Sequence, residues 1–420
     1  MGDKTKIAKD LVSSPIGFYP PDWEVKPLSE LLEFRNGANA SKEDYGSGVK
    51  FINVMDVLNN QFITADKITG SVNLSKDQIE LNLVKRGDVV FNRTSETPDE
   101  VGLTSVYLDD EVAVFGGFVI RGRSINDRLN NEFKKFCFSA KAVRKQIIAS
   151  GQGAIRSNIG QADLEKILIP VPPVKEQIQI ANILSTCDDA IEATKNILLK
   201  KASYKRALMQ NLLTGKVRFN SFTKDWEEIR LGDVAEMKSG GTPLSTNKNY
   251  YGGNIPWVVI ADITKAEKYI TKTEKSISEE GLKNSSARKY PIGTILFAMY
   301  ASIGKCAITG VELTCNQAIL GIQPNNVDVE FLYYLLSMNE EKYSNMGQAG
   351  TQSNLNKEMV SDFYFTIPVD IEEQKRIASV LSAADDEIQK LKTQLNKLKL
   401  QKKGLMQQLL TGKIRVKIKK

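Results

Sequence analysis

The chain contains no histidine, so the side chain most often used near neutral pH as general base or metal ligand is missing. Its four cysteines, Cys137, Cys187, Cys306 and Cys315, form no C-x-x-C pair. Free thiols are therefore expected, and no metal site. Each Gly-Lys pair (Gly215-Lys216, Gly304-Lys305, Gly412-Lys413) lacks both the upstream glycine and the following Ser or Thr of a phosphate-cradling loop. Phe115-Gly116-Gly117-Phe118 reads as a strand-end turn, not a nucleotide loop. Two aspartate pairs, Asp188-Asp189 and Asp385-Asp386, fall within long helical runs. Adjacent helical residues point about 100° apart, so neither pair readily shares one metal ion, and solvated or partner-facing charge is expected. These side chains offer binding, not bond-making.

A net charge of +7 and a pI near 8.9 suit a polyanionic partner, because Lys and Arg gain sequence-independent affinity by neutralising phosphates. Apolar residues at 41% and charged residues at 25% fit a globular protein, and 420 residues predict two or more domains. No apolar run approaches the roughly 20 residues that span a bilayer. Nothing apolar follows Met1-Gly2-Asp3-Lys4 as a secretory signal would require. No membrane association and a cytoplasmic location are expected.

Self-similarity organises the chain. Glu176 through Phe219 aligns without a gap onto Glu373 through Val416, a shift of 197 residues, with 22 of 44 positions identical. Both copies follow a proline-bearing segment (Pro170 to Pro173, and Pro368) and stop at Gly215 or Gly412, as helices do. Seam positions, mostly apolar, recur at steps of four and three: Ile180, Leu184, Cys187, Ile191, Thr194, Leu198, then Lys201 and Lys205, then Leu208 and Leu212 in one copy. The other copy has Ile377, Leu381, Ala384, Ile388, Leu391, Leu395, Leu398, Leu405, Leu409. So narrow a stripe is a coiled-coil seam and needs a partner helix. The two copies are expected to pair antiparallel; Lys201, Lys205 and Lys402 at seam positions either set the register or, the favoured reading, extend their ammonium groups to water.

The flanking regions correspond more loosely. Asp22-Trp23-Glu24 matches Asp225-Trp226-Glu227, and Ser157-Asn158-Ile159 matches Ser353-Asn354-Leu355. Short strand-like runs (50–54, 88–91, 257–260, 294–298) alternate with turn signals, and helical runs follow at 132–149 and 329–339. The expected fold class is mixed α+β: two homologous globular domains, 1–165 and 220–363, separated by an antiparallel pair of long helices, within 166–219 and 364–420, in a pseudo-twofold arrangement.

This pattern resembles the specificity subunit of type I restriction–modification systems. The resemblance covers nearly the whole chain. It rests on Pro-Pro-x-x-Glu-Gln-x-x-Ile-Ala-x-x-Leu (Pro172 to Leu184), the Leu-Leu-Thr-Gly-Lys-x-Arg ends, and Trp226 to Val234. It also rests on Gly240-Gly241-Thr242-Pro243, Ile255-Pro256-Trp257 and Asn316-Gln317-Ala318-Ile319. The second helix entrance has Val369-Asp370-Ile371 in place of Pro-Pro, and the first domain has Asn36-Gly37-Ala38-Asn39 where the second has Gly-Gly-Thr-Pro. The resemblance implies a non-catalytic targeting subunit for phage defence, whose two target recognition domains each read half of a bipartite, asymmetric double-stranded DNA site. It further implies two methyltransferase subunits docked on the helices, with S-adenosylmethionine bound there and no cofactor in this chain, and two motor-nuclease subunits. A methyltransferase of its own is not expected: Tyr19-Pro20-Pro21 reverses the Asn-Pro-Pro-Tyr order by which amino-methyltransferases hold a base, and no Asn or Asp precedes the prolines.

Base edges are read by polar side chains in loops that come close to the groove, while phosphate contacts fix register. The candidates in the first domain are Arg35, Asn36, Lys42, Arg93, Thr94, Arg156 and Asn158. In the second they are Lys238, Thr242, Lys248, Tyr251, Tyr300, Lys305, Gln352 and Asn354.

Overall fold

A computed structural model describes residues 6–7, 10–153, 156–346 and 354–417. Two helices of 39 residues, Val174–Leu212 and Ile371–Leu409, are each roughly 58 Å long at about 1.5 Å per residue. Acidic residues (Glu176; Glu372 and Glu373) occupy their first turns and complement the helix dipole. Past their ends Gly215 and Gly412 take φ of +69° and +64°, a left-handed turn that glycine makes without steric cost.

The chain forms two compact units, Met1–Lys195 with Gln394–Lys420, and Asn196–Thr393. Each long helix thus begins in one unit and ends in the other. In the first unit Arg415 donates to Glu176 through Nε and Nη2, both at 2.8 Å, and Lys402 Nζ lies 2.5 Å from Asp188. In the second unit Arg218 donates to Glu373 at 2.9 and 2.8 Å, Lys205 pairs with Asp385 at 2.5 Å, and Lys201 with Glu387 at 2.6 Å. Within each unit a rising number on one helix meets a falling number on the other. The helices pair antiparallel.

Adding 197 to Glu176 and Asp188 gives Glu373 and Asp385; subtracting it from Arg415 and Lys402 gives Arg218 and Lys205. The same two ion pairs are therefore made twice. They also correct the expectation for the seam lysines. Lys402 and Lys205 do not reach out to water: each is mostly buried against a half-buried aspartate and lies over an aromatic ring, Phe136 or Tyr334. A paired ammonium inside the seam keeps its charge compensated.

The Glu-Gln motif at each helix start ties domain to helix. Glu176 accepts from Trp23 Nε1 at 3.0 Å and Glu373 from Trp226 Nε1 at 3.4 Å. Gln177 accepts from the Asn130 amide and donates to the Pro172 carbonyl; Gln374 does the same with Asp328 and Pro368. Apolar packing continues the link. Ile180, Ala181 and Leu184 share a core with Leu409, Leu410, Phe133 and Phe136. Ile377, Ala378 and Leu381 share theirs with Leu212, Leu213, Phe331 and Tyr334.

The two globular domains have one topology. In the first, a five-stranded sheet runs Leu32–Asn36, Val119–Ser124, Val89–Asn92, Thr104–Tyr107, Phe62–Ile63. In the second it runs Ala235–Ser239, Ile319–Pro324, Ile295–Ala298, Cys306–Thr309, Tyr269–Ile270. Neighbours are antiparallel except the last pair, which is parallel in both. A smaller sheet is built on Tyr45–Ile52 or Tyr251–Val258, and each of these strands shifts register after its leading tyrosine. The strands Glu24–Pro27 with Leu168–Val171, and Trp226–Arg230 with Tyr364–Pro368, close each domain onto its helix.

Three expected elements differ in extent. The strand expected over 257–260 runs from Tyr251 to Val258 and stops there because a helix begins at Ile260, with Val259 N donating to the Asp262 carboxylate. The strand expected over 50–54 starts earlier, at Tyr45, and stops at Ile52 because Asn53 caps the next helix, its side chain accepting from the Met55 and Asp56 amides. The helix expected over 132–149 is broken into Asn131–Cys137 and Lys141–Ser150. Phe136, Phe138 and Ala140 are all buried, and one straight helix cannot bury residues 136 and 138 on the same face. All four cysteines are free, Cys137 and Cys315 buried and Cys187 and Cys306 partly so; burial pushes the Cys137 and Cys315 thiols up to about 12.

Candidate nucleic-acid interface

In the first domain the five-stranded sheet fixes where the candidate residues stand. Asn36 is opposite Ile120 and Asn92 opposite Val119, so the ends of Leu32–Asn36 and Val89–Asn92 share an edge with the turn before Val119. Arg35 and Asn36 close the first of these strands and are exposed. Arg93 and Thr94 follow the second. Thr94 pairs in a two-stranded ribbon with Asn158, and its hydroxyl donates to Asn158 Oδ1 at 2.6 Å. Arg93 donates to the Gly117 carbonyl at 3.2 Å, and exposed Arg156 pairs with Glu96 at 3.0 Å. Six of the seven candidates thus gather along one sheet edge. Lys42 stands apart on a 3-10 turn, Lys42–Asp44, that leads into Tyr45.

The second domain repeats these positions with other side chains. Lys238 occupies the strand place of Arg35 and ion-pairs with Glu236. That pairing holds the Glu236 carboxyl below its ordinary range. Leu355 N donates to Met299 O as Ile159 N donates to Arg93 O. Tyr300 and Asn354 therefore stand where Thr94 and Asn158 do. Lys248 opens the 3-10 turn Lys248–Tyr250 before Tyr251, matching Lys42 before Tyr45. Gln352 lies outside the described residues. Lys305 is engaged by Glu340 at 3.2 Å.

Two motifs distant in sequence meet here. Thr242 of Gly-Gly-Thr-Pro donates to Gln317 of Asn-Gln-Ala-Ile. Trp257 Nε1 donates to Gly241 O at 3.1 Å and Tyr251 OH to Pro243 O at 2.6 Å. The glycines are needed for close approach: a Cβ on Gly240 would lie 2.2 Å from Asn316 O, and one on Gly241 2.2 Å from Ala287 N.

Residues 20–201 and 223–400 match the family model described as a type I restriction modification DNA specificity domain. The chain belongs to this family of specificity subunits. A putative type I restriction enzyme specificity subunit of Methanocaldococcus jannaschii, MjaX, is 27% identical, with 96% of each chain covered. The MjaIX specificity subunit of the same organism is 37% identical over 175 residues, 41% of this chain and 40% of that one. The crystal structure of a type I restriction-modification S subunit from M. genitalium superposes with a TM-score of 0.60 at 15% identity, covering 96% of this chain and 97% of that one. Among the described residues, no helix of this specificity subunit is long and apolar enough to cross a membrane.

Several side chains at this candidate edge of the specificity subunit escaped sequence reasoning. Phe118, Asn39, Tyr45 and Met55 surround the turn at Gly116-Gly117, and Gln317 holds the matching place in the second domain. An exposed phenylalanine has no sequence signal, since a buried one is written the same way. Asn39 was within reach, standing three residues beyond Asn36 in a segment already read as the counterpart of Gly-Gly-Thr-Pro.

Proposed function

We propose that each specificity domain reads one half of a bipartite, asymmetric duplex target, and that the paired helices set the gap between the halves. One observation carries this reading. The two domains share sheet order, strand senses and turn positions, yet put unlike side chains at equivalent edge positions: Arg35 and Lys238, Thr94 and Tyr300. The helices, by contrast, repeat the same ion pairs. A constant scaffold with variable tips is what unlike half-sites require. Half-sites related by a pseudo-twofold axis would lie near 34 Å, or about 10 base pairs, centre to centre.

The chain then supplies targeting, and its partners supply chemistry. Two methyltransferase subunits carrying S-adenosylmethionine dock on the helices, and two motor-nuclease subunits complete a cytoplasmic restriction enzyme. Co-expression with the cognate methyltransferase, followed by mapping of methylated adenines across the host genome, tests the reading. Two different short motifs at a fixed separation are expected; modification at one continuous or palindromic motif would refute it. A heptad inserted into both helices adds about 10 Å and should widen the gap by roughly three base pairs.

A further inference from the structure

The first domain carries an open cleft of about 370 Å³ beside the Gly116-Gly117 turn. Phe118 is 65% exposed at its lip, Met55 58% and Tyr45 45%. Large apolar side chains left in water singly are ordinary; several around one opening mark a contact surface. The turn is not free to swing. Gly116 N donates to Ile52 O at 3.0 Å, Gly117 N to Ala38 O at 2.9 Å, and the Phe118 carbonyl accepts from Arg93 N at 3.0 Å. A Cβ on Gly116 would lie 2.5 Å from the Phe51 ring and one on Gly117 2.1 Å from Asn39 Oδ1. Exposed Asn39 has no side-chain hydrogen-bond partner among the described residues. Arg93, reaching the Gly117 carbonyl, brings positive charge to the same turn.

We propose that this cleft reads one A·T pair of the first domain's half-site. The thymine 5-methyl enters among Phe118, Tyr45 and Met55, and the Asn39 carboxamide faces adenine N6 and N7. The methyl is the apolar group a base pair offers in the major groove, and asparagine matches the acceptor–donor pair of adenine. A rigid apolar slot with an unpaired amide at its rim fits that edge and no G·C edge. The second domain has Gln317 and Ala318 at the matching turn, with Gln317 already accepting from Thr242, so its half-site is read differently there. This inference rests on the DNA-reading function proposed above.

The test uses the full chain with its methyltransferase partner and duplexes bearing the mapped target. Each thymine is replaced in turn by deoxyuridine, which lacks only the methyl. One position should then bind about fourfold more weakly, the worth of one buried methyl. Phe118→Ala should abolish the thymine–uracil difference at that position, Phe118→Leu should keep most of it, and Asn39→Ala should relax the demand for adenine in the same pair. The inference is overturned if no thymine shows a methyl effect, if the half-site has no A·T pair, or if Phe118→Ala weakens thymine and uracil duplexes alike. That last result would make the ring a wedge between base steps. Sequence-specific modification without a methyl effect sinks this inference alone; no sequence preference at all sinks the function it rests on.

Discussion

Replacing Arg415 by methionine isolates the strongest of the repeated contacts. The change removes two hydrogen bonds of 2.8 Å to Glu176 and two, at 2.8 and 2.6 Å, to Asp22. Glu176 is 1% exposed and, among the described residues, its carboxylate would keep only the Trp23 indole N–H at 3.0 Å. Stripping the partner from a buried charge costs about 3–5 kcal/mol. The Arg415 side chain is itself 27% exposed, so water can enter behind a shorter residue, and the low end, about 3 kcal/mol, is expected. In a unit of this size that lowers Tm by roughly 6–12 °C. Glu176→Gln added to Arg415→Met removes the stranded charge while keeping an acceptor for Trp23, and should restore most of the loss. Urea unfolding followed by circular dichroism measures the wild type and both variants. The contact also has a pH signature. The Arg415 hydrogen bond holds the Asp22 carboxyl below its ordinary value, so its contribution is present above the unfolded carboxylate pKa and fades as pH falls through the lower folded one. Arg415→Met should lose that acid-side dependence. A single variant within about 1 kcal/mol of wild type, or a double variant weaker than Arg415→Met, would refute the reasoning, since exposed pairs are worth no more than that.

Exchanging Lys402 and Asp188 tests the seam. Lys402→Glu should destabilise by about 1–2 kcal/mol, and adding Asp188→Lys should recover at least half; equal effects of single and double variants in urea melts would show that the pair does not hold the register. Lys134 is 1% exposed, and burial lowers its ammonium to about 8 from an ordinary 10.5. Between those values the unfolded chain binds the extra proton, so wild-type stability should rise with pH relative to Lys134→Met, by an order of 3 kcal/mol; parallel stability curves from pH 7 to 10.5 would count against it.

How much of this was legible in the sequence depended on what the residues had to do. The helices were, because a seam repeating every three or four residues and a gapless copy 197 residues away leave few alternatives. Their antiparallel sense was also accessible, since each rod adjoins a different domain. The sheets were not. Phe62–Ile63 and Tyr269–Ile270 are two-residue strands that join the sheet in parallel, a pairing set by tertiary contacts and by no local pattern. Of the seam lysines, Lys205 and Lys402 departed from the favoured reading because an aspartate near a seam looks solvent-facing until the partner helix brings a lysine to it. At the candidate interface, polar loop residues could be named, and most of those in the first domain fell on one edge. The apolar members stayed hidden, since the sequence does not show which phenylalanine the turn leaves outside.

The duplication itself explains why the helical register is secure. Because the rods are copies, any antiparallel register that joins residue i of the first to residue j of the second also offers i+197 and j−197 to each other. A contact that suits one end therefore suits the other without further selection, and a contact that fails at one end fails at both. Glu176 with Arg415 and Glu373 with Arg218 satisfy this rule, and so do Asp188 with Lys402 and Asp385 with Lys205. Slipping the pairing by one turn, about 5.4 Å, would part the acid from its base at every one of these positions and strand Glu176 and Glu373, both 1% exposed, without their arginines. The apolar seam alone would tolerate such a slip far better, since leucine packs against leucine at either register. The buried acids make the wrong registers costly, so the register of the rods is set by charge pairing laid over a seam that supplies most of the adhesion.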